Sequence, residues 1–298
     1  MTSTVLNPSV REGSLTERIL TQSVGWKLHW LFRLGVVMEF VGHGACGVHT
    51  KAGWLPFFKV FAIPEPLAYS LMPWVGWMDI TLGLTTLLAP KRAVLLYMAV
   101  WGCFTALLRP AAGQGGWEFI ERAYNYGVPL IFLLLHGIPN DRRGWFETLK
   151  PTATLPLSVE QGRTLNWVLR SIVALMLIGH GGFGAMLPKK NLLDFYQAAG
   201  FGSLGLPLES IRAGIGFFEI GLALAALFVK RPSFFIGVCL WKLASESLYL
   251  VAGADLACWE IIERGGSYVA PLAIVCFLST LKTGQQTSLG EKHSAVSS

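Results

Sequence analysis

The sequence predicts an all-α integral membrane protein with eight transmembrane helices, arranged as two parallel four-helix repeats that form a pseudo-dimer. The first observation is composition: 53% of the 298 residues are hydrophobic, only 14% are charged, and the mean hydropathy is +0.51. A soluble domain of this length carries more polar surface. The second observation is an internal repeat at an offset of roughly 140 residues, which is typical of a duplicated unit.

The repeat keeps its polar residues while its apolar residues drift. Trp30, Arg33 and Gly42-His43-Gly44 recur as Trp167, Arg170 and Gly179-His180-Gly181. The segment Trp117-Glu118-Phe119-Ile120-Glu121-Arg122 recurs as Trp259-Glu260-Ile261-Ile262-Glu263-Arg264. Because ionisable residues are costly within a membrane, a repeat that preserves them indicates either a functional site or a set of buried ion pairs.

Each repeat contains four apolar runs that are candidates to cross a hydrocarbon core of roughly 30 Å. In the first repeat the runs lie at residues 28–48, 72–89, 93–108 and 124–138, and in the second at 165–187, 210–229, 233–252 and 268–281. They define membrane repeats at 27–139 and 164–282, a cytoplasmic linker at 140–163, an N-terminal tail at 1–26 and a C-terminal tail at 283–298 that is expected to be disordered. With an even number of spans per repeat, both repeats enter the membrane from the same side, so the repeat is parallel. Many secondary transporters have inverted repeats, so a parallel repeat counts mildly against an alternating-access carrier.

Lysine and arginine are more numerous on the side of the spans that holds both termini. The opposite side carries only Lys51, Lys59, Arg109, Arg122, Lys189, Lys190 and Arg264. The positive-inside rule therefore places both termini in the cytoplasm, and we expect a bacterial inner-membrane protein. The net charge of +6 reflects this topology, so the lipid bilayer is the expected partner and nucleic acid is not.

Ionisable residues inside or beside the spans are the candidate functional residues. Ligand-binding or proton-handling candidates are His43, Asp79, Glu121, Arg122, His180, Glu219, Glu263 and Arg264, together with Glu39 and Glu246, which have no charged counterpart in the other repeat. Arg33, Arg170, Arg212 and Lys242 are candidates for structural ion pairs. At 1.5 Å per residue, the histidine, the acid and the Glu-Arg pair of each repeat are expected to converge on one outer-facing region of that repeat's bundle.

Structural interpretations of the same residues stay open. The Glu-Arg segments are also suited to locking the bundle by pairing with Asp79 or Glu219, and the glycines around each histidine suit close helix packing. No metal site is predicted, and haem is not expected because no second ligand stands at a helical spacing from either histidine. The five cysteines show no metal-ligand spacing, and the sequence leaves open whether Cys46 and Cys258 form a disulfide.

The chain resembles the DoxX-like family of membrane proteins, and each half is similar to one copy. The resembling residues are Arg33, Gly35, His43, Gly44 and Asp79-Ile80-Thr81-Leu82-Gly83-Leu84, then Arg170, His180, Gly181 and Glu219-Ile220-Gly221-Leu222. The resemblance implies a compact four-helix membrane bundle. The group includes the small membrane subunit of thiosulfate:quinone oxidoreductase, a methylamine-utilisation maturation protein and the eukaryotic Surfeit-locus cargo receptor. Members differ in function, so the resemblance predicts the fold better than the activity.

Three functions remain as hypotheses, and whether the protein is an enzyme stays open. The first, favoured chiefly by the resemblance, is a redox-accessory component that binds a quinone near the histidines and works with a redox or maturation partner protein. The second is an assembly factor or scaffold for a partner protein, and the third is a permease or lipid-binding protein. The sequence shows no nucleophile paired with a base, no phosphate-binding loop and no metal-binding motif. It therefore does not favour hydrolytic or phosphoryl-transfer chemistry.

Overall fold

The computed structural model describes residues 21–151, 159–186 and 190–279. Within these ranges the chain is helical and contains no strand, only an isolated antiparallel bridge between Lys91 and Thr148. Seven helices in the described ranges are long and apolar enough to cross a membrane: Val24–Val48, Glu65–Leu88, Arg92–Ala111, Glu160–Ala185, Leu208–Phe228, Pro232–Val251 and Ala257–Ser279. The protein is therefore an integral membrane protein with at least seven candidate spans.

The first half begins with a long helix, α1 (Val24–Val48), whose N-terminus is capped by the Ser23 side chain accepting from the Trp26 backbone N–H. A short 3₁₀ turn and α2 (Leu55–Lys59) lead into α3 (Glu65–Leu88) and α4 (Arg92–Ala111). The chain then forms α5 (Gly116–Glu121), α6 (Ala123–Leu135) and the short α7 (Arg142–Phe146).

The second half of the chain is also helical. Its helices are α8 (Val159–Ala185), α9 (Lys190–Ala198), α10 (Leu208–Phe228), α11 (Pro232–Glu246), α12 (Leu248–Val251), α13 (Ala257–Ile262) and α14 (residues 265–279). Turns at Arg122 and at Glu263-Arg264 separate α5 from α6 and α13 from α14, so each Trp-Glu-x-Ile-Glu-Arg segment forms a short helix before the following long one.

Several predicted boundaries were wrong. The second span starts at Glu65 and not at residue 72, and the fifth helix starts before residue 165. The predicted fourth span at 124–138 corresponds to α6, which ends at Leu135 after 13 residues and is too short by itself to count among the seven. The predicted seventh span at 233–252 agrees with the candidate span Pro232–Val251, within which the helix changes at Ser247. Residues 1–20, 152–158, 187–189 and 280–298, which include most of both predicted tails, lie outside the described residues.

Glycines set the close packing within each half. Helix α1 packs on α3 and helix α8 packs on α10. A Cβ added at Gly44 would lie 2.6 Å from the Gly76 carbonyl oxygen, and one at Gly181 would lie 2.6 Å from the Gly216 carbonyl oxygen. Small residues let helix backbones approach in a membrane, where van der Waals contact replaces the hydrophobic effect as the source of association.

The two halves exchange their short Trp-Glu-x-Ile-Glu-Arg helices. Helix α5 of the first half packs on α8, where a Cβ added at Gly179 would overlap the Glu121 backbone. Helix α13 of the second half packs on α1, where a Cβ added at Gly42 would overlap the Glu263 backbone. The expectation that each half assembles its own histidine, acid and Glu-Arg pair was wrong, because each Glu-Arg segment lies beside the histidine of the opposite half.

Candidate functional site

The histidine of the first half is held by side chains on three elements. His43 Nδ1 lies 2.8 Å from Asp79 Oδ2, which brings α1 and α3 together, and Asp79 is fully buried. The His43 ring stacks on Trp54 with ring centroids 4.6 Å apart, and Trp54 is itself buried. Since Trp54 covers one ring face and Asp79 fixes one ring nitrogen, His43 lies in a tightly packed setting.

Glu39 lies one helical turn before His43, with 2% of its surface exposed. Its Oε2 makes no hydrogen bond to the residues that the structure describes. Glu39 and His43 line a small cavity of about 10 Å³ with Trp101 and Asn125. A neighbouring cavity of about 70 Å³ continues from His43 and Trp54 toward Arg109 and Arg122.

The histidine of the second half has a different chemical neighbourhood. His180 Nε2 lies 3.1 Å from Lys242 Nζ, 3.4 Å from Glu121 Oε1 and 3.6 Å from Glu246 Oε1. Lys242 Nζ lies 2.7 Å from Glu246 Oε1, as their i, i+4 spacing on α11 allows. Lys242 is fully buried, and a buried ammonium is retained only where carboxylates neutralise it.

Glu219, the predicted counterpart of Asp79, does not pair with the histidine in the same way. Its Oε1 accepts from Trp241 Nε1 at 2.9 Å. The predicted pairing of the Glu-Arg segments with Asp79 or Glu219 was therefore wrong for both acids, since Asp79 contacts His43 and Glu219 contacts Trp241.

Arginine and glutamate form two related networks at the exchanged helices. Arg264 NH1 lies 3.0 Å from Glu260 Oε2 and 3.1 Å from Glu263 Oε1, while its Nε lies 2.7 Å from Glu246 Oε2. In the first half, Arg122 NH1 lies 2.7 Å from Glu118 Oε2 and 3.4 Å from Glu121 Oε2.

A further ion pair joins Lys51 of the first half to Glu260 of the second. His180 connects the two networks, since its Nε2 lies near Glu121 of one and Glu246 of the other, and the guanidinium of each network is balanced by carboxylates.

A large cavity of about 410 Å³ opens beside His180 and is lined by residues from both halves. Its volume lies in the range of small-molecule sites in proteins. Its charged lining consists of Lys51, Arg109, Glu118, Glu121, Arg122, Glu219, Glu246, Glu260 and Arg264, and its aromatic lining consists of Phe183, Phe195, Tyr196, Phe201, Trp241 and Tyr249. The cavity thus has both charged and aromatic lining residues, a combination suited to a flat ring that carries polar substituents.

Two tyrosines supply neutral hydroxyls to this cavity. The Tyr249 hydroxyl accepts from Arg264 NH2 at 2.7 Å, so its own proton remains to be donated elsewhere. Tyr196 lies on α9, and burial, helped by the Glu219 carboxylate, raises the pKa of its hydroxyl above the usual value. Both residues line the cavity. Tyr196 is therefore a neutral donor at physiological pH.

The three arginines predicted as structural ion-pair residues bind backbone carbonyls in the described chain. Arg33 Nε donates to the Thr86 carbonyl at 3.1 Å, and Arg170 NH1 donates to the Ala226 carbonyl at 2.5 Å. Arg212 NH1 donates to the Phe183 carbonyl at 3.3 Å and to the Gly184 carbonyl. Arg33 and Arg170 thus tie the far ends of α3 and α10 to α1 and α8, away from the cavity, and the partners that the structure shows for them are backbone carbonyls.

Sequence analysis missed several residues of the site. Lys51, Trp54, Tyr196 and Tyr249 lie outside the repeated motifs, so the repeat gave no signal for them. Trp101 and Trp241 lie 140 residues apart, so the repeat offset could have identified this pair from the sequence. His29 and His136, whose ring nitrogens lie 2.9 Å apart within the bundle, were also not singled out.

Cys46 and Cys258, the pair that the sequence left open, are not joined by a disulfide. Among the described residues no group of three or more histidine, cysteine, aspartate or glutamate side chains is arranged to hold a metal ion. Comparison with family models, with curated proteins and with solved structures found no match to this chain.

Proposed function

We propose that this protein binds a small aromatic molecule of the quinone class in the cavity beside His180 and acts as a redox-accessory component of the membrane. The observation that carries the proposal is the cavity itself: about 410 Å³ of space at a junction of the two halves, lined by aromatic rings, tyrosine hydroxyls and buried charges. Quinone carbonyls are hydrogen-bond acceptors, and the Tyr196 and Tyr249 hydroxyls are donors of the required kind.

Each part of the cavity has a role in this proposal. Phe195 and Tyr249, whose ring centroids lie 4.9 Å apart, provide faces against which a ring packs. His180 lies between Lys242 and two carboxylates, so a proton can be held at this point next to the ligand. Residues of both halves line the cavity, so the ligand is held only when the halves are assembled.

We further propose that the chain is a tandem DoxX-like duplication with eight spans, in which α5 and α6 together cross the membrane as α13 and α14 do. The support is the correspondence between halves: Gly42 meets Glu263 as Gly179 meets Glu121, and Arg33 reaches a carbonyl of α3 as Arg170 reaches one of α10. In this topology both termini are cytoplasmic and the cavity lies near the outer face.

Labelling of single cysteines tests the topology. In a variant without native cysteines, Ala111→Cys and Asn140→Cys introduce thiols at exposed positions on either side of α5 and α6. Eight spans predict that a membrane-impermeant maleimide labels these thiols from opposite sides of the membrane. Labelling of both from the same side would contradict the eighth span and leave seven.

Ligand extraction tests the function. Organic extracts of the detergent-purified wild type, His180→Ala and His43→Ala proteins are compared by mass spectrometry at matched folding. We expect a quinone-class molecule in the extracts of the wild type and of His43→Ala, and its loss from the extract of His180→Ala. The reason is that His180 lines the large cavity and His43 does not. Identical extracts from all three proteins would overturn the proposal, and a copurifying protein without a small molecule would favour the scaffold.

A further inference from the structure

Three buried polar atoms without partners surround the small cavity beside His43. They are Glu39 Oε2, Trp101 Nε1 and Asn125 Oδ1, none of which makes a hydrogen bond to the residues that the structure describes. All three residues line the cavity of about 10 Å³. Buried polar atoms without partners are uncommon in folded proteins, and three at one small cavity indicate a missing shared partner.

The cavity matches one water molecule in size and in chemistry. A volume of about 10 Å³ is close to the space that a single water requires, and a buried water typically makes about three hydrogen bonds. The Trp101 N–H is a donor, the Asn125 Oδ1 is an acceptor, and the Thr105 hydroxyl, which donates to the Gly102 carbonyl at 3.1 Å, keeps acceptor capacity on its oxygen.

Carboxylates lie on the elements that pack against this part of α1. Asp79 on α3 contacts His43, and Glu263, in the turn after α13, packs against Gly42. His43, on the same helix as Glu39, is already engaged by Asp79. No salt bridge involves Glu39 in the described chain. An anionic carboxylate without a cation is expensive inside a membrane protein, so the neutral acid is the stable form.

We propose that Glu39 is a proton-binding site, at which the neutral acid donates to one internal water that also accepts from the Trp101 N–H and donates to the Asn125 Oδ1. His43 lines this cavity and also the neighbouring cavity of about 70 Å³, which reaches Arg109 and Arg122. Both arginines line the large cavity as well, so the three cavities form one series. The inference that a ligand beside His180 takes up this proton rests on the proposed function. The inference that Glu39 carries the proton does not depend on it.

Infrared spectroscopy of the full-length, ligand-free protein in lipid nanodiscs tests the proposal at neutral pH. We expect a C=O stretching band of a protonated carboxylic acid that shifts in D₂O. We expect this band to be lost in Glu39→Gln and in Glu39→Met. Methionine is chosen because Met176 stands at the corresponding position of the second half. Glu246→Gln is the matched control, because Glu246 is a buried carboxylate paired with Lys242 and Arg264, and it leaves the band unchanged.

Two further variants test the water and the connection to solvent. Trp101→Phe removes the N–H donor to the water and is expected to shift the Glu39 band, while Thr105→Leu fills the junction of the two smaller cavities and is expected to slow its exchange in D₂O. Absence of the band from the wild type, or its persistence in both Glu39 variants, overturns the proton site. An unaltered band frequency in Trp101→Phe overturns the bound water, and failure of the wild-type band to shift in D₂O overturns the connection. Each result stands whether or not a quinone is found at His180.

Discussion

The two histidine sites share one backbone arrangement and differ in what fills it. His43 is stacked on Trp54 and bound to Asp79 beside small cavities, whereas His180 contacts an ammonium and two carboxylates beside a cavity of about 410 Å³. Trp54 lies in a connection that the second half does not repeat, and the connection that follows His180 carries Asn191, which lines the large cavity. The two histidines therefore differ in the side chains that the connections bring to them.

The charges near the histidines differ in the same direction. The first half has Glu39 where the second has Met176, and the second half has Lys242 and Glu246 where the first has Gly102 and Ala106. The first site therefore contains an acid without a cation, and the second contains a neutralised ion cluster. The packing glycines are common to both sites, whereas ionisable side chains near the histidines differ.

Substitution of the shared glycines has the largest expected effect. Gly42→Val and Gly179→Val place side chains into the backbones of Glu263 and Glu121, and a backbone cannot move aside as a flexible side chain can. Overpacking costs about 1–3 kcal/mol and more where the backbone must shift, so we expect loss of the folded monomer in both variants. Size-exclusion chromatography and thermal unfolding in detergent measure this loss.

Gly221→Val is the matched control for the glycine variants, because no atom lies within 4 Å of a Cβ added there. We expect it to fold as the wild type does. If Gly42→Val were tolerated while Gly179→Val was not, the packing of α13 on α1 would not be equivalent to that of α5 on α8. The two histidine sites would then not share one backbone arrangement.

Removal of the cover over His43 has the next largest effect. Trp54→Ala deletes a ring that is 5% exposed and stacked on the histidine, and truncation of a buried tryptophan costs about 3–5 kcal/mol. Reversible unfolding in mixed micelles measures the loss. Trp74→Ala is the control, since Trp74 is 75% exposed and its removal is expected to change stability by less than about 0.5 kcal/mol. Equal losses in both variants would show that Trp54 does not enclose His43.

The sequence predicted the membrane class and several ionisable residues that line the candidate site, because expensive polar residues in apolar helices stand out. It did not predict that α5 and α13 are exchanged between the halves. The two segments are nearly identical, and so are the Gly-His-Gly grooves that receive them, so a repeat pattern fits packing within a half and packing across halves equally well. Trp54 and Lys51 were missed for a different reason: they lie in a connection that the second half does not repeat.

Lys242→Met tests the ion cluster at the second histidine. Removing one partner of a buried pair costs about 3–5 kcal/mol, and we expect a loss near the lower limit because Arg264 still lies 2.7 Å from Glu246. The double variant Lys242→Met, Glu246→Gln is expected to lose less than the sum of the single variants, as coupled residues do. Additive losses, measured by the same unfolding experiment, would mean that the ammonium and the carboxylate do not act as a unit.

Glu39→Met has the smallest expected effect and sharpens the comparison most. If Glu39 is a neutral acid with one water, the apolar residue of the other half replaces it with a change in unfolding free energy of less than about 1 kcal/mol in either direction. The reverse exchange, Met176→Glu, places an acid at a position that is 1% exposed and without a partner, and is expected to cost at least about 2 kcal/mol. A loss of unfolding free energy in Glu39→Met as large as that in Lys242→Met would mean that Glu39 is an anion with a cationic partner. Both histidine sites would then contain neutralised ion pairs.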